Sequence, residues 1–434
     1  MAWNVIKRLS QKHRLWVLTA AQNRQAIEAT LTKDPLPEVQ FVYVGLPRRL
    51  RFLNRAQGGI QFYAYLWQWR AYFVARRLHR QERFDLFHHL TYENDWMASI
   101  IGALLPVPYV RGPGGGAHRV PRKFRREFPL RSYLWEYVRI GLQWVFRHDP
   151  FFFIGQERAR ALLMANREAM DALPARRRKK AQLFSVNGVS LSPVRRDVPS
   201  APPSSKFRLL TAGRLIPLKG FDLAVRAFGV FLDRLNRDGQ EKQAELKIIG
   251  DGPERSRLME LINELSLENH VHMVKWMARE DLFKEMAECD AFVFPSLRDG
   301  GGLVVVEAMS AGKPVVCFNL AGPGLHVTDE CGIRVAAHSP EQAIEDLASA
   351  FQRLCSSDGL RLAMGQASRK RAEDVYDWDR VAERIRDIYR DALGPQLDPV
   401  EAVVSRRTEE LAEKPPLILD DAETRAKEFD AADA

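Results

Sequence analysis

The sequence is poor in cysteine. Its four residues, Cys289, Cys317, Cys331 and Cys355, show no paired metal-ligand spacing. That excludes a scaffold built on disulfides, and the thiols read as reduced and buried in a cytoplasmic protein. No stretch approaches the ~18 consecutive apolar residues of a membrane span. The first apolar run, Leu15–Leu18, is too short for the core of a signal peptide. No internal repeat is present, and no recognised nucleic-acid motif accompanies the basic residues, which leaves a nucleic-acid binder the weakest reading.

What is present suffices for two domains and a tail: 434 residues, 46% of them hydrophobic. Charge is divided unevenly. Residues 1–200 hold 34 Lys+Arg against 14 Asp+Glu, a net of +20, and the remainder holds 31 against 41. A basic half joined to an acidic half predicts an anionic surface for the first: nucleic acid, lipid headgroups or a diphosphate substrate.

Short apolar runs alternate with helical patterns after residue 206. "FRLLTAG", "LKIIG", "VHMVKW", "AFVFP" and "PVVCF" read as strands of a parallel, doubly wound α/β sheet. The first half is similar in kind, with "RLWVLT", "QFVYVGL", "FDLFHHL" and "VPYVRG" as strands. The division is 1–200 as a first Rossmann-like domain and 201–206 as a linker. Residues 207–376 form a second domain, 377–393 a helix crossing back to the first, and 394–434 an acidic mobile tail. "LVVVE" alone suggests a strand, because valine is a poor helix former. Parallel neighbours need a long crossover, however, so 302–311 is predicted helical, with Gly312 as its stop.

The conspicuous residues of the second half fall after successive strands. They are Gly213, Arg214 and Lys219; then Gly250, Asp251 and Gly252; then Asp299, Gly300, Gly301, Gly302, Leu303 and Glu307; then "AGPG" at 321–324. Open α/β sheets bind ligands outside the carboxyl ends of their strands. Two cations, close-approach glycine loops and a helix N-terminus make a diphosphate site. The carboxylates are suited to sugar hydroxyls, although Asp299 is equally suited to cap its helix.

"GRLIPLKG", "IGDGPE" and "PSLRDGGGLVVVEAMSAGKPVV", in that order, resemble the donor domain of glycosyltransferase family 4, over most of 205–392. "LTAAQNRQAIEATL", "FDLFHHLT" and "RGPGGGAHRVP" resemble the first domain of a subgroup associated with bacterial surface and extracellular polysaccharides. The resemblance implies a GT-B fold, two Rossmann-like domains facing a cleft. It also implies a retaining transfer from a UDP- or GDP-linked sugar, with no separate cofactor and no bound metal. The acceptor would be a glycan or a polyprenyl-diphosphate-linked glycan. Arg214 and Lys219 would neutralise the diphosphate, Asp299 would hold the donor sugar, and backbone N–H groups of Gly300–Leu303 would contact sugar and phosphate. Glu307 would bind ribose, and Trp276 and Met277 would meet the base. Asp299 stands where the family usually has Glu, one methylene longer. His118 stands where subgroup members often have Glu, and is a candidate for contact with donor or acceptor sugar.

A glycosidase reading of the two acids fails, because Glu307 lies more than a turn inside its helix. His88, His89 and Glu93 keep a nucleotide-sugar epimerase open, and an inactive nucleotide-sugar-binding subunit is a third reading. The arginines of "RVPRKFRREFPLR" with Phe124 and Phe128 either rest on an anionic membrane, at the inner face of which the protein would be peripheral, or form a solvated basic face. Finally, Trp3, Ile6 and Leu9 recur at helical spacing where a doubly wound domain normally has its first strand. The expectation is that the true start lies upstream, or that the first domain is rearranged with impaired activity, or that a neighbouring strand or partner fills the gap.

Overall fold

The computed structural model describes residues 2–47, 49–50, 59–90, 94–116, 118–185, 187–190, 206–237, 243–394 and 418–419. The second domain holds six parallel strands: β7 (Lys206–Ala212), β8 (Gln243–Ile249), β9 (Val271–Val274), β10 (Ala291–Phe294), β11 (Val315–Phe318) and β12 (Gly332–Val335). Their order is β12-β11-β10-β7-β8-β9. β10 and β11 are buried along their whole length, as strands covered by helices on both faces must be. The helix between them runs Leu303–Ser310, and Gly312 ends it at φ +71°. Its valines cost a few tenths of a kcal/mol each in helix propensity. Val305, Val306, Ala308 and Met309 are fully buried, and burying a branched aliphatic is worth about 1.5–3 kcal/mol. Burial therefore decides the helix.

The first domain holds β1 (Leu15–Ala20), β2 (Val39–Val44), β3 (Phe87–His89), β4 (Tyr109–Gly114), β5 (Ala159–Met164) and β6 (Ala181–Leu183), in two separate parallel sheets. One is β3-β4-β5-β6. The other is β1-β2, with Ile418–Leu419 paired to the far edge of β2. Among the described residues β1 and β3 do not pair, and both strands are half-buried throughout. Side chains span the break, as where Trp16 of β1 meets Phe84 with ring centroids 5.2 Å apart. The chain opens with a helix, Ala2–Leu9, as its spacing predicts, but Val5 rather than Ile6 is the buried partner of Leu9. Trp3 stacks on Phe41 at 6.0 Å.

The last long helix, Trp378–Leu393, lies against the first domain. Trp378, Val381, Ile385 and Ile388 form one core with Val5, Leu9, Val110 and Leu163. The chain thus crosses between domains twice, and the crossings are laced together. Val189 N–H donates to Tyr376 O at 2.8 Å, and Trp378 N–H donates to Val189 O at 3.3 Å.

The basic segment before residue 131 departs from expectation. Phe124 is 1% exposed and packs on Phe318 of the second domain, ring centroids 6.0 Å apart. Phe128 is half-buried against the same core. Arg125 is buried and donates to Val120 O at 2.8 Å. The two aromatics fasten one domain to the other and do not face a membrane; Arg119, Arg122, Lys123, Arg126 and Arg131 remain exposed.

Candidate functional site

Lys219 closes a short 3₁₀ turn, Pro217–Lys219, after β7. Gly220 follows at φ +64°, and a Cβ there would lie 2.2 Å from Pro295 O, so only glycine fits. This close approach ties the β7 and β10 loops. Leu297 N–H donates to Leu218 O at 2.9 Å, and the Ser296 hydroxyl donates to the same oxygen at 3.2 Å. The result is that Lys219 Nζ ion-pairs with Asp299 Oδ2, although the two are 80 positions apart, and lies 5.0 Å above the Phe294 ring.

Asp299 also binds the glycine loop that leads into the Leu303–Ser310 helix, whose N-cap is Gly302. Its Oδ1 accepts from Gly301 N–H at 3.1 Å and Gly302 N–H at 2.8 Å. Burial pushes its carboxyl up, but the Lys219 charge and the hydrogen bonds from Lys219, Gly302 and Gly301 outweigh that and hold it below the usual carboxylate value. The expected side-chain cap of the helix is thus not made by Asp299: one oxygen fastens the glycine loop and the other faces the Lys219 ammonium.

The glycine loop is gripped from behind. Gly301 O accepts from Asn187 Nδ2 and contacts His326 Nε2. His326 is fully buried, and its Nδ1 bonds Tyr376 Oη at 2.9 Å. A carbonyl can only accept, so Nε2 carries the proton and Nδ1 accepts from the tyrosine. Burial lowers the His326 pKa to about 4, which keeps this neutral tautomer at ordinary pH.

The remaining second-domain candidates line the same ends of the sheet. Gly250 approaches β7 so closely that a Cβ would stand 1.9 Å from Gly213 O, and one at Gly252 would stand 2.4 Å from Leu215 O. Asp251 Oδ1 accepts from Gly252 N–H at 2.9 Å. Arg214 is exposed and makes no ion pair among the described residues. Trp276 is 80% exposed, while Met277 packs on the core. Glu307 is buried and ion-paired to Arg279, which opens the helix Arg279–Glu288 just after Trp276 and Met277.

The first domain presents the "GPGGGAH" turn to this loop. A Cβ on Gly115 would lie 3.8 Å from Gly300 Cα. His118 is buried, its Nδ1 donating to Gly115 O at 2.8 Å, so its Nε2 is an acceptor; that atom has no partner among the described residues. Burial, with Arg139 and Arg298, lowers its pKa to about 4. Glu136, 2% exposed, ion-pairs across the cleft with Arg298 and within its own helix with Arg139 at 3.4 Å. His88 and His89 do not reach this group. His88 is held by Tyr389 Oη at 2.6 Å and Gly112 O at 2.8 Å, and His89 by the Ser99 hydroxyl at 2.8 Å. Glu93 lies outside the described residues. No group of three or more His, Cys, Asp or Glu side chains among the described residues could hold a metal. Sequence reading missed Glu136, Arg298, Asn187, His326 and Arg279; of these only Arg298 lies inside a quoted site motif.

Two α/β domains with strand ends facing across a cleft define the GT-B architecture. The HepE protein of Anabaena, solved in complex with UDP, shares it with a TM-score of 0.57 at 18% identity, over 89% of this chain and 95% of that one. A glycosyltransferase from Rickettsia africae gives 0.57 at 13% identity, over 88% and 99%. Residues 196–371, less than half of the chain, match the family described as glycosyl transferases group 1. Curated relatives align with part of the chain. A D-inositol 3-phosphate glycosyltransferase of Saccharomonospora viridis is 29% identical over 198 residues, 44% of each chain. One of Acidothermus cellulolyticus is 33% identical over 192 residues, 43% of this chain and 41% of its own. The match therefore spans less than half the length of these relatives.

Proposed function

We propose that this chain is a retaining glycosyltransferase, moving a hexose from a UDP- or GDP-linked sugar to a glycan or polyprenyl-diphosphate-linked glycan in polysaccharide biosynthesis. The observation that carries the reading is the pairing of Lys219 with Asp299 at the N-terminus of the Leu303–Ser310 helix, facing the first domain's "GPGGGAH" turn. Lys219, Arg214 and the helix N-terminus supply positive charge where a departing diphosphate gains negative charge. A diphosphate competing for Lys219 leaves Asp299 held by Gly301 and Gly302. The acceptor hydroxyl enters on the face the diphosphate leaves, assisted by a donor phosphate oxygen. Neutral His118 offers Nε2 to a sugar hydroxyl, and Glu307, paired with Arg279, would take the ribose, with Trp276 and Met277 at the base.

The epimerase reading loses its histidines to structural bonds. A panel of UDP- and GDP-sugars tests the proposal: one donor should release nucleoside diphosphate with the wild-type protein, and Glu307→Ala should weaken its binding. Tight donor binding with no turnover in the presence of acceptor glycans would instead identify an inactive binding subunit.

A further inference from the structure

The helix Leu130–Arg147 is inverted relative to an ordinary surface helix. Its inward side buries Glu136, Gln143 and Phe146. Its outward side carries Leu130 (72% exposed), Leu134 (55%), Tyr137 (51%), Val138 (49%), Trp144 (65%) and Val145 (54%). At 3.6 residues per turn these six fall within an arc of about 120°. Gly141 lies in the same arc with nothing within 4 Å of where its Cβ would be. No charged residue interrupts the arc. Single exposed hydrophobics are ordinary, but a continuous stripe four turns long is not.

We infer that this stripe is a docking surface for an anionic phospholipid bilayer. The occupant follows from the rim. Arg122, Lys123, Arg126 and Arg131 are exposed at the start of the helix, in the half of the chain with a net charge of +20. A second copy seated on the stripe by two-fold symmetry would bring like-charged rims together, which disfavours self-association. Anionic headgroups complement the rim, the aliphatic residues suit the acyl boundary, and Tyr137 and Trp144 suit the interface between. No helix among the described residues is long and apolar enough to cross a membrane, so the helix lies in the surface. At ~1.5 Å per residue it would lay down about 27 Å of contact. The same helix reaches Arg298 through Glu136 on its other side, so the cleft would sit roughly one helix diameter, ~10 Å, above the headgroups.

Co-sedimentation of the full chain with vesicles tests this independently of any enzymatic activity. Vesicles containing phosphatidylglycerol should retain the protein, and pure phosphatidylcholine should not. Added salt should weaken retention. Each of Arg122, Lys123, Arg126 and Arg131 replaced by Gln should lower partitioning about fivefold. Leu134→Glu with Trp144→Glu should abolish it, with an unchanged circular dichroism spectrum and melting temperature. The inference is overturned by no binding to anionic vesicles, by equal binding to both compositions, or by retention in the double-Glu variant. It is overturned equally by a wild-type dimer in sedimentation equilibrium that Trp144→Glu dissociates.

Discussion

Replacing Lys219 with Ala removes an ammonium shared between Asp299 and the proposed diphosphate. The structural cost is moderate. Both side chains are 19% exposed, so the 3–5 kcal/mol of a fully buried pair is an upper bound, and Asp299 keeps two backbone donors. The variant should fold, with its carboxyl no longer held as low. Because a depressed carboxyl stabilises the native state above its unfolded pKa and loses that benefit as pH falls through the folded one, wild type and variant should differ near neutrality and converge in acid. The catalytic cost is larger. Loss of one preorganised charge at a developing anion costs about 2–4 kcal/mol, or roughly 30- to 900-fold in kcat at 1.36 kcal/mol per decade. Steady-state kinetics at saturating donor measures this, with Lys219→Arg as a partial rescue. A folded Lys219→Ala with kcat within threefold of wild type would refute the leaving-group assignment.

Three further outcomes are expected. Burial lowers the pKa of His88, His118 and His326 to about 4; the unfolded chain takes up those protons near 6.5, so stability should be whole above pH 6.5 and fall towards pH 4, by up to about 3 kcal/mol per imidazole. Urea midpoints at pH 7 and 4.5 should converge in His118→Gln relative to wild type, and an identical pH slope in the two proteins would contradict the burial argument. Arg298→Ala leaves Glu136 with Arg139 alone, and should cost about 3 kcal/mol, read by calorimetry as a melting point lower by roughly 6–12 °C; a shift under 2 °C would show the cross-cleft pair to be dispensable. Tyr376→Phe removes the bond that fixes the His326 tautomer, about 1 kcal/mol, and should lower kcat about fivefold while leaving donor KM unchanged; a change in KM alone would place the effect in binding.

The second domain was legible because its information is local. Each strand is a short apolar run, each turn carries its glycine, and the valine-rich Leu303–Ser310 segment yields to one topological argument about crossovers. What was not legible lies between elements distant in sequence. Glu136 and Arg298 are 162 positions apart, and nothing in either neighbourhood announces the pairing. Phe124 looked outward because arginines surround it. Its destination, Phe318, is set by the docking of two domains, which leaves no periodicity in either segment. The stripe on Leu130–Arg147 was hidden for the opposite reason: amphipathic spacing shows that a helix has two faces, but not which of them meets water.

The lacing of Val189 to Tyr376 and Trp378 has a mechanical consequence. Two crossings tied at one point act as a single pivot, so the motion that breaks fewest contacts is rotation of one domain about that point. Asn187 stands two residues from one strand of the pivot, and Tyr376 is part of the other. Both lead to the carbonyl of Gly301, Asn187 directly and Tyr376 through His326. The opening angle of the cleft and the posture of the glycine loop are therefore geared to each other: turning the domains pulls on the same atom that sets the aim of the N–H groups at the helix start.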